Sequence, residues 1–363
     1  MSSVFSLLQK PFVRKYANYL IVGAVLLIFG LLSVVGVVGM SDQLLLEQIA
    51  IAVLLAVSLG MVVGFLGELS LGHAGFMCIG AYAGGKIASL LVGAMGGSDN
   101  NLLALLVALL AGGLLAALFG FIVGLPALRL RGDYLAIVTL AFGEIVRTVF
   151  MNLPASVFGG ATGLSTPRFE MKYLFIIALL MVLACLAVTQ NLIRSKHGRA
   201  IIAVKDNEIA ARAMGIDVTK YKLFIFTISS FFAGIAGVLY SYSQYRVQST
   251  SFDYNYSIEI LVMVVLGGMG SINGSMIAAA LITFLNVKLQ TTLTGDLAVL
   301  QNLLYALILI LIVIYKNAPG LKSVRERYNT NTFAAWLKRK LGGKKTPEAT
   351  ENDKQEVAEH DGQ

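Results

Sequence analysis

The sequence predicts an all-α, polytopic integral membrane protein of about eight to ten spans, some of them broken or re-entrant. Hydrophobic residues make up 57% of the 363 residues and charged residues only 13%, and the mean hydropathy is +0.79. A soluble domain of this length has too little interior to hide so much apolar surface, whereas the hydrocarbon of a bilayer accommodates it. The chain also divides into apolar stretches of about 20 residues, the length that crosses a bilayer as a helix.

Roughly ten apolar stretches are candidate spans. The eighth is short, and glycine-rich turns join the second stretch to the third and the eighth to the ninth. Eight full spans with re-entrant segments therefore fit the same residues. The approximate boundaries are 18–38, 44–65, 74–95, 102–125, 133–151, 172–190, 222–243, 258–270, 274–292 and 297–315.

Lysine and arginine are distributed unevenly over the loops, and this predicts the orientation. With both termini in the cytoplasm, most of the 28 lysines and arginines fall on that side, as the positive-inside rule requires. The first stretch is too long for a signal-peptide core, so we expect it to be retained. The predicted organisation is a cytoplasmic segment 1–17, a transmembrane domain 18–318 with a cytoplasmic loop 191–222, and a largely disordered cytoplasmic tail 319–363.

A polar segment at 206–217 (DNEIAARAMGID) interrupts the apolar stretches on the predicted cytoplasmic side. Asp206 is the expected N-cap, residues 207–214 are mostly helix formers, and Gly215 suits the left-handed position that ends a helix. The segment therefore predicts a helix of about two turns between two spans. A membrane protein rarely needs such an element for its own packing, whereas one that receives force from a soluble partner does.

The segment 67–75 (GELSLGHAG) separates the second and third stretches. Three glycines, a serine and two ionisable side chains argue against a continuous helix. Irregular backbone at membrane depth is tolerated where it lines a cavity or is buried in protein. We predict that this segment forms the wall of a translocation path, with a turn packed against neighbouring helices as the alternative for the histidine. The residues assigned to the path are Glu68, Ser70, Gly72 and His73.

The run 80–86 (GAYAGGK) matches most of a phosphate-binding loop, but we expect no nucleotide there. Ile87 replaces the Ser or Thr that would hold magnesium, and the run lies in an apolar helix with no preceding strand. Lys86 is costly within a span. We assign it to a polar surface along the path, with a partner carboxylate as the open alternative.

A second glycine-rich break lies at 267–274 (GGMGSING). In the predicted topology both breaks follow an inward-running span and precede an outward-running one, which suggests a parallel internal repeat of the kind found in transporters. The path residues assigned here are Gly267, Gly268, Gly270 and Asn273.

Other features predict packing and exclude several classes of protein. Gly112, Ala116, Gly120 and Gly124 recur every four residues, a spacing that lets helices approach closely. Glu144 and Arg147 lie one helical turn apart and are expected to pair. The basic residues form no single face, so nucleic-acid binding is not predicted. Two cysteines in apolar runs and three histidines predict neither a disulfide framework, a metal site nor a catalytic constellation, and no cofactor is expected.

These residues resemble the permease subunits of bacterial ABC importers for branched-chain amino acids, of the LivM type, over about residues 45–318. The sequence Glu208-x-Ala210-Ala211 followed by Gly215 looks like the EAA loop through which such permeases dock onto their ATPase, and Arg212 is assigned to the same surface. The other matching segments are LSLGHAGFMCIGAY (69–82), LRLRGDYLAIVTLAFGEIVR (128–147), GRAIIAVKDNEIAARAMGIDVTKYKL (198–223) and VVLGGMGSINGS (264–275).

The resemblance implies a permease without an ATP site of its own, in a bacterial cytoplasmic membrane. It further implies a second homologous permease subunit, two ATP-binding subunits and an extracytoplasmic amino-acid-binding protein as partners. Glu68 and Lys86 depart from what the resemblance leads one to expect, which leaves the substrate open between branched-chain amino acids and urea or another small amide or acid. An ion-coupled secondary transporter is the alternative mechanism, but it gives the helix at 207–214 no purpose.

Overall fold

The computed structural model describes residues 39–95, 100–130, 132–167 and 169–292, together with residues 307 and 310. The predicted span 18–38 and the predicted terminal segments lie outside the described residues, as does the predicted span 297–315 apart from residues 307 and 310.

The described chain is almost entirely helical. Its helices are α1 (Met40–Gly60), α2 (His73–Ala94), α3 (Leu102–Ala127), α4 (Asp133–Asn152), α5 (Ala155–Phe158), α6 (Met171–Arg194), α7 (Lys196–Asp206), α8 (Glu208–Ala213), α9 (Val218–Gln244), α10 (Tyr254–Gly267) and α11 (Ile272–Thr292). A π turn (Met61–Leu66) continues α1, and short 3₁₀ turns lie at Gly160–Thr162 and Ser249–Phe252. Two-residue strands β1 (Leu164–Ser165) and β2 (Arg246–Val247) pair antiparallel.

Seven of the described helices are long and apolar enough to cross a membrane. They begin and end within a few residues of seven predicted spans, which confirms a polytopic helical membrane protein. The eighth predicted span, 258–270, is different. It corresponds to α10, which has only 14 residues, or roughly 21 Å of helix, and is shorter than the hydrocarbon layer. The expectation of a short segment here is therefore confirmed.

Helix α9 packs against α1, α2 and α3 at the centre of the bundle. Glycines make these contacts close: a methyl group at Gly80 would collide with the backbone of Gly234, and one at Gly124 would lie 2.7 Å from Leu223. The four-residue spacing of small residues in α3 is thus a packing feature, as predicted. The phosphate-loop-like run of α2 has the same explanation, because its glycines face neighbouring backbone and side chains.

The two ends of the bundle differ in charge. The first, here called the basic end, contains the connecting segments 67–72, 128–130, 195–217 and 268–271. It carries eight of the described lysines and arginines: Arg129, Arg194, Lys196, Arg199, Lys205, Arg212, Lys220 and Lys222. The opposite end contains the connecting segments 100–101, 153–167 and 245–253. Two of these segments are joined where Thr166 donates its backbone N–H to the carbonyl of Tyr245.

Candidate functional site

The predicted short helix at the basic end is present as α8, but its N-cap is not the expected residue. Asp206 is the last residue of α7, which the sequence analysis did not anticipate. Asn207 has the extended backbone that an N-cap requires, and its side-chain oxygen accepts the N–H of Ala210 at 3.0 Å. The prediction of Asp206 as the cap is therefore wrong by one residue, and the helix spans 208–213 instead of 207–214.

The other end of α8 agrees with the prediction. Gly215 has φ = +81°, the left-handed conformation that glycine adopts without strain. The N–H of Ile216 donates to the carbonyl of Ala211, and that of Gly215 donates to the carbonyl of Arg212. These two bonds form a Schellman motif, which turns the chain sharply out of α8 and into α9.

Helix α8 presents an apolar surface away from the bundle. Ile209 is 75% exposed and Met214 is 82% exposed, whereas Ala211 is buried against the protein. Ala210 and Arg212 are also exposed. Large apolar side chains that protrude from a polar end of a protein are typical of a contact surface for another protein.

On its inner side, α8 is connected by ion pairs to the first glycine-rich break. Glu208 accepts from Arg212 at 2.6 Å and from the ammonium group of Lys222 at 3.2 Å. Lys222 in turn forms an ion pair with Glu68. Its side chain is only 5% exposed, so the low local polarity strengthens both attractions. Residues of three separate chain segments thus meet at one buried ammonium group.

Helix α7 makes a second connection to the same region. The ammonium group of Lys205 donates to the carbonyl oxygen of Gly64 at 2.7 Å. Gly64 lies near the end of the π turn, where carbonyl groups lack partners within the helix. The aliphatic part of the Lys205 side chain covers Gly67, which has φ = +79°. The end of α1 is therefore held by Lys205 of α7 and by Lys222 of α9.

The break itself is closely packed. The N–H of Leu71 donates to the hydroxyl of Thr139, and the N–H of Ala74 donates to the hydroxyl of Ser257. His73 is buried and hydrogen-bonded through its ring nitrogen to Ser58 at 2.8 Å. Polar side chains of α4 and α10 thus satisfy backbone groups that irregular structure leaves without partners.

The other residues assigned to the path in the first break, and Lys86 in α2, each have different surroundings. Glu68 lies in the ion pair with Lys222, and Ser70 is buried. A methyl group at Gly72 would lie 2.6 Å from the carbonyl oxygen of Thr139, so this glycine allows α4 to approach. Lys86 is half-buried in α2, and among the described residues no carboxylate forms an ion pair with it. The role of all these residues in a translocation path stays a prediction.

The second break forms a tight turn between α10 and α11. Gly268 and Gly270 have φ of +99° and +87°, and a side chain at Gly267 would collide with Ser275. Gly270 and Asn273 are exposed and line a cavity of about 310 Å³ at the basic end. The two breaks touch, since a methyl group at Gly64 would lie 2.7 Å from the backbone nitrogen of Gly270.

A polar cavity of about 350 Å³, away from both breaks, was missed by the sequence analysis. Its lining comes mainly from α1, α9, α10 and α11, and includes Gln48, Gln244, Glu259, Asn286 and Gln290. The available signal was the occurrence of polar side chains within apolar stretches, above all a glutamate in the eighth stretch. No group of three His, Cys, Asp or Glu able to hold a metal ion occurs in the described part of the chain.

Comparison with known proteins places the chain in a family. Residues 43–314 match the family model described as branched-chain amino acid transport system, permease component. The chain is 40% identical over 264 residues to the high-affinity branched-chain amino acid transport permease LivM of Escherichia coli. That match covers 64% of this chain and 60% of the E. coli protein, so it spans less than two thirds of the relative.

More distant relatives match over a larger share of their length. A probable LivM of Methanocaldococcus jannaschii is 28% identical over 72% of this chain and 88% of its own. The ribose import permease RbsC of E. coli is 28% identical over 75% of this chain and 84% of its own. No solved structure matches the chain significantly. Since the family model covers most of the chain, the protein belongs to the family of branched-chain amino acid transport permease components.

Proposed function

We propose that the chain is the permease subunit of an ATP-driven importer and that α8 receives the force of ATP hydrolysis from an ATP-binding subunit. The observation that carries this proposal is the buried Lys222, which pairs with Glu208 of α8 and with Glu68 of the first break. A displacement of α8 by a bound partner would pull on the end of α1 through this ammonium group. A rigid short helix with an exposed apolar surface is suited to transmit such a displacement.

The proposed substrates are branched-chain or similar small amino acids, delivered by an extracytoplasmic binding protein. The identity of 40% to the LivM of E. coli, against 28% to the ribose permease of the same organism, supports an amino acid over a sugar. The proposed complex contains a second homologous permease and two ATP-binding subunits. We assign ATP hydrolysis to those subunits, and this chain contributes the surface of α8 to the coupling.

The proposed orientation places the basic end in the cytoplasm of a bacterial plasma membrane. A single cysteine at Asp217, which is exposed, should then react with a membrane-impermeant thiol reagent only after the cell membrane has been permeabilised. A cysteine at exposed Thr162, at the opposite end, should react in intact cells. Cys78 and Cys185 are buried and provide a silent background. The reverse pattern would overturn the orientation.

Docking through α8 is tested by co-purification of the ATP-binding subunits with the permease. Met214→Asp and Ile209→Asp should each lower the amount of co-purified ATPase at least about tenfold, because a carboxylate would be buried without a partner. Met95→Asp is the matched control, since Met95 is an exposed methionine at the opposite end. Retention of the ATPase in both the Met214→Asp and the Ile209→Asp variant would overturn the proposal that the ATP-binding subunit docks on α8.

A further inference from the structure

The polar cavity between α1, α9, α10 and α11 has the chemistry of a binding site for a small solute. Its volume of about 350 Å³ lies within the range of pockets that enclose small ligands. Among the described residues that line it, Glu259 is the only charged one. A carboxylate within an apolar bundle is costly and marks a functional site by default.

The carboxylate fixes the orientation of two amides beside it. The side-chain NH₂ of Asn286 donates to Glu259 Oε1 at 3.1 Å, and the NH₂ of Gln290 donates to Asn286 Oδ1 at 3.2 Å. An ionised carboxylate only accepts hydrogen bonds, so Asn286 must direct its NH₂ toward Glu259 and its oxygen toward Gln290. This wall of the cavity therefore offers acceptors, and it favours a solute that donates.

The rest of the lining suits the other parts of an aliphatic amino acid. Ile51, Met263 and Val287 supply apolar surface for a branched side chain. Gln48, on α1, carries an amide NH₂ that can donate to a carboxylate. A zwitterion with an aliphatic side chain thus finds an acceptor, a donor and apolar contacts, whereas a solute that is only anionic meets the charge of Glu259.

We propose that this cavity binds a small amino-acid zwitterion in transit and that Glu259 accepts hydrogen bonds from its ammonium group. A carboxylate accepts up to about four hydrogen bonds, so an ammonium group and Asn286 can be accommodated together. The identity of the solute as an amino acid rests on the proposed function. The acidic character of the cavity rests on the structure of this chain alone.

The test uses a cysteine reporter in the assembled complex. Gln244→Cys places a thiol in the cavity without altering the Glu259–Asn286–Gln290 chain, and the native cysteines are buried. A cationic methanethiosulfonate should modify this thiol at least about tenfold faster than an anionic one, after correction for their intrinsic rates. Addition of Glu259→Gln should abolish most of this preference. Glu144→Gln, which changes a membrane carboxylate paired with Arg147, should leave it intact.

Protection experiments identify the ligand chemistry. L-Leucine at millimolar concentration should slow the modification of Gln244→Cys, and 4-methylpentanoate, which has the same carbon skeleton without the ammonium group, should not. Glu259→Gln should weaken the protection by leucine at least about tenfold. Equal protection by both solutes, or protection by sodium ions alone at constant ionic strength, would overturn the proposal.

The result separates this proposal from the proposed function. If the ATP-binding subunits fail to assemble on the permease, the coupling role of α8 fails. The ratio of the modification rates by the cationic and the anionic reagent, measured in the permease alone, still reports the charge of the cavity. If assembly and stimulated ATPase activity are normal but the charge preference survives Glu259→Gln, the role of Glu259 fails by itself.

Discussion

The two glycine-rich breaks have similar compositions but different structures. The first consists of a π turn and six non-helical residues, and it is packed against α4, α9 and α10. The second is a tight turn that leaves Met269 and Gly270 exposed. Lys222 holds the first break through its ion pair with Glu68, and Lys205 holds it through a hydrogen bond to the carbonyl of Gly64. Among the described residues, no such ion pair holds the second.

This difference shows that glycine content predicts a break but not its role. The first break can respond to a movement of α7 and α8, because charged groups connect them. The second break lies against the first at Gly64 and Gly270, where backbone faces backbone. If the importer works as proposed, a displacement passes from α8 to the first break by ion pairs and from there to the second by steric contact.

The largest expected effect comes from removing the buried ammonium group. Lys222→Met leaves the carboxylates of Glu68 and Glu208 without the cation between them, and we expect the free energy of unfolding to fall by about 3 kcal/mol. The stimulation of ATPase activity by the binding protein should also be lost. Denaturant titration in detergent and a coupled ATPase assay measure the two effects.

Lys220→Met is the matched control for this variant. Lys220 lies on the same helix two residues earlier, and its side chain is exposed, so the expected change in stability is within about 0.5 kcal/mol. Wild-type coupling in Lys222→Met would show that the ion pairs do not link α8 to the first break.

A smaller effect is expected where the two breaks touch. Gly64→Ala would place a methyl group 2.7 Å from the backbone nitrogen of Gly270, and overpacking of this kind costs about 2 kcal/mol. At Gly60, one turn earlier, a methyl group has no neighbour within 4 Å. Gly60→Ala should therefore be neutral or stabilising by up to about 1 kcal/mol, because alanine favours the helix. Similar thermal stabilities for the two variants would contradict the contact between the breaks.

Lys205 of α7 gives a third comparison. Lys205→Met removes the donor to the Gly64 carbonyl, and we expect a loss of about 1.5 kcal/mol, since the bond involves a charged donor. Arg199→Met, on the exposed surface of the same helix, is the control. Hydrogen exchange at the amides of residues 64–71 should increase in Lys205→Met and stay unchanged in Arg199→Met. An unchanged exchange rate in both variants would show that Lys205 does not hold the first break.

The spans, the close packing of α3 and the Glu144–Arg147 pair at 2.8 Å follow from the sequence because each depends on local composition or on spacing within one helix. The pairing of Lys222 with Glu68 does not, since the two residues lie 154 positions apart and nothing in a single sequence indicates which charges meet. The polar cavity could not be predicted for the same reason, because the sequence does not show which helices meet. Its lining comes from several helices, and each helix contributes only one or a few polar residues.

The smallest predicted effect separates the two candidates for the cap of α8. Aspartate and asparagine are about equally good N-caps, so composition does not distinguish Asp206 from Asn207. Backbone conformation does, because only Asn207 is extended. Asn207→Ala should destabilise α8 by about 1 kcal/mol and raise hydrogen exchange at residues 210–215. Asp206→Ala should change it by less than about 0.5 kcal/mol. If Asp206→Ala has the larger effect, α8 begins where the sequence alone places it, and the ion pair between Glu208 and Lys222 described above is wrong.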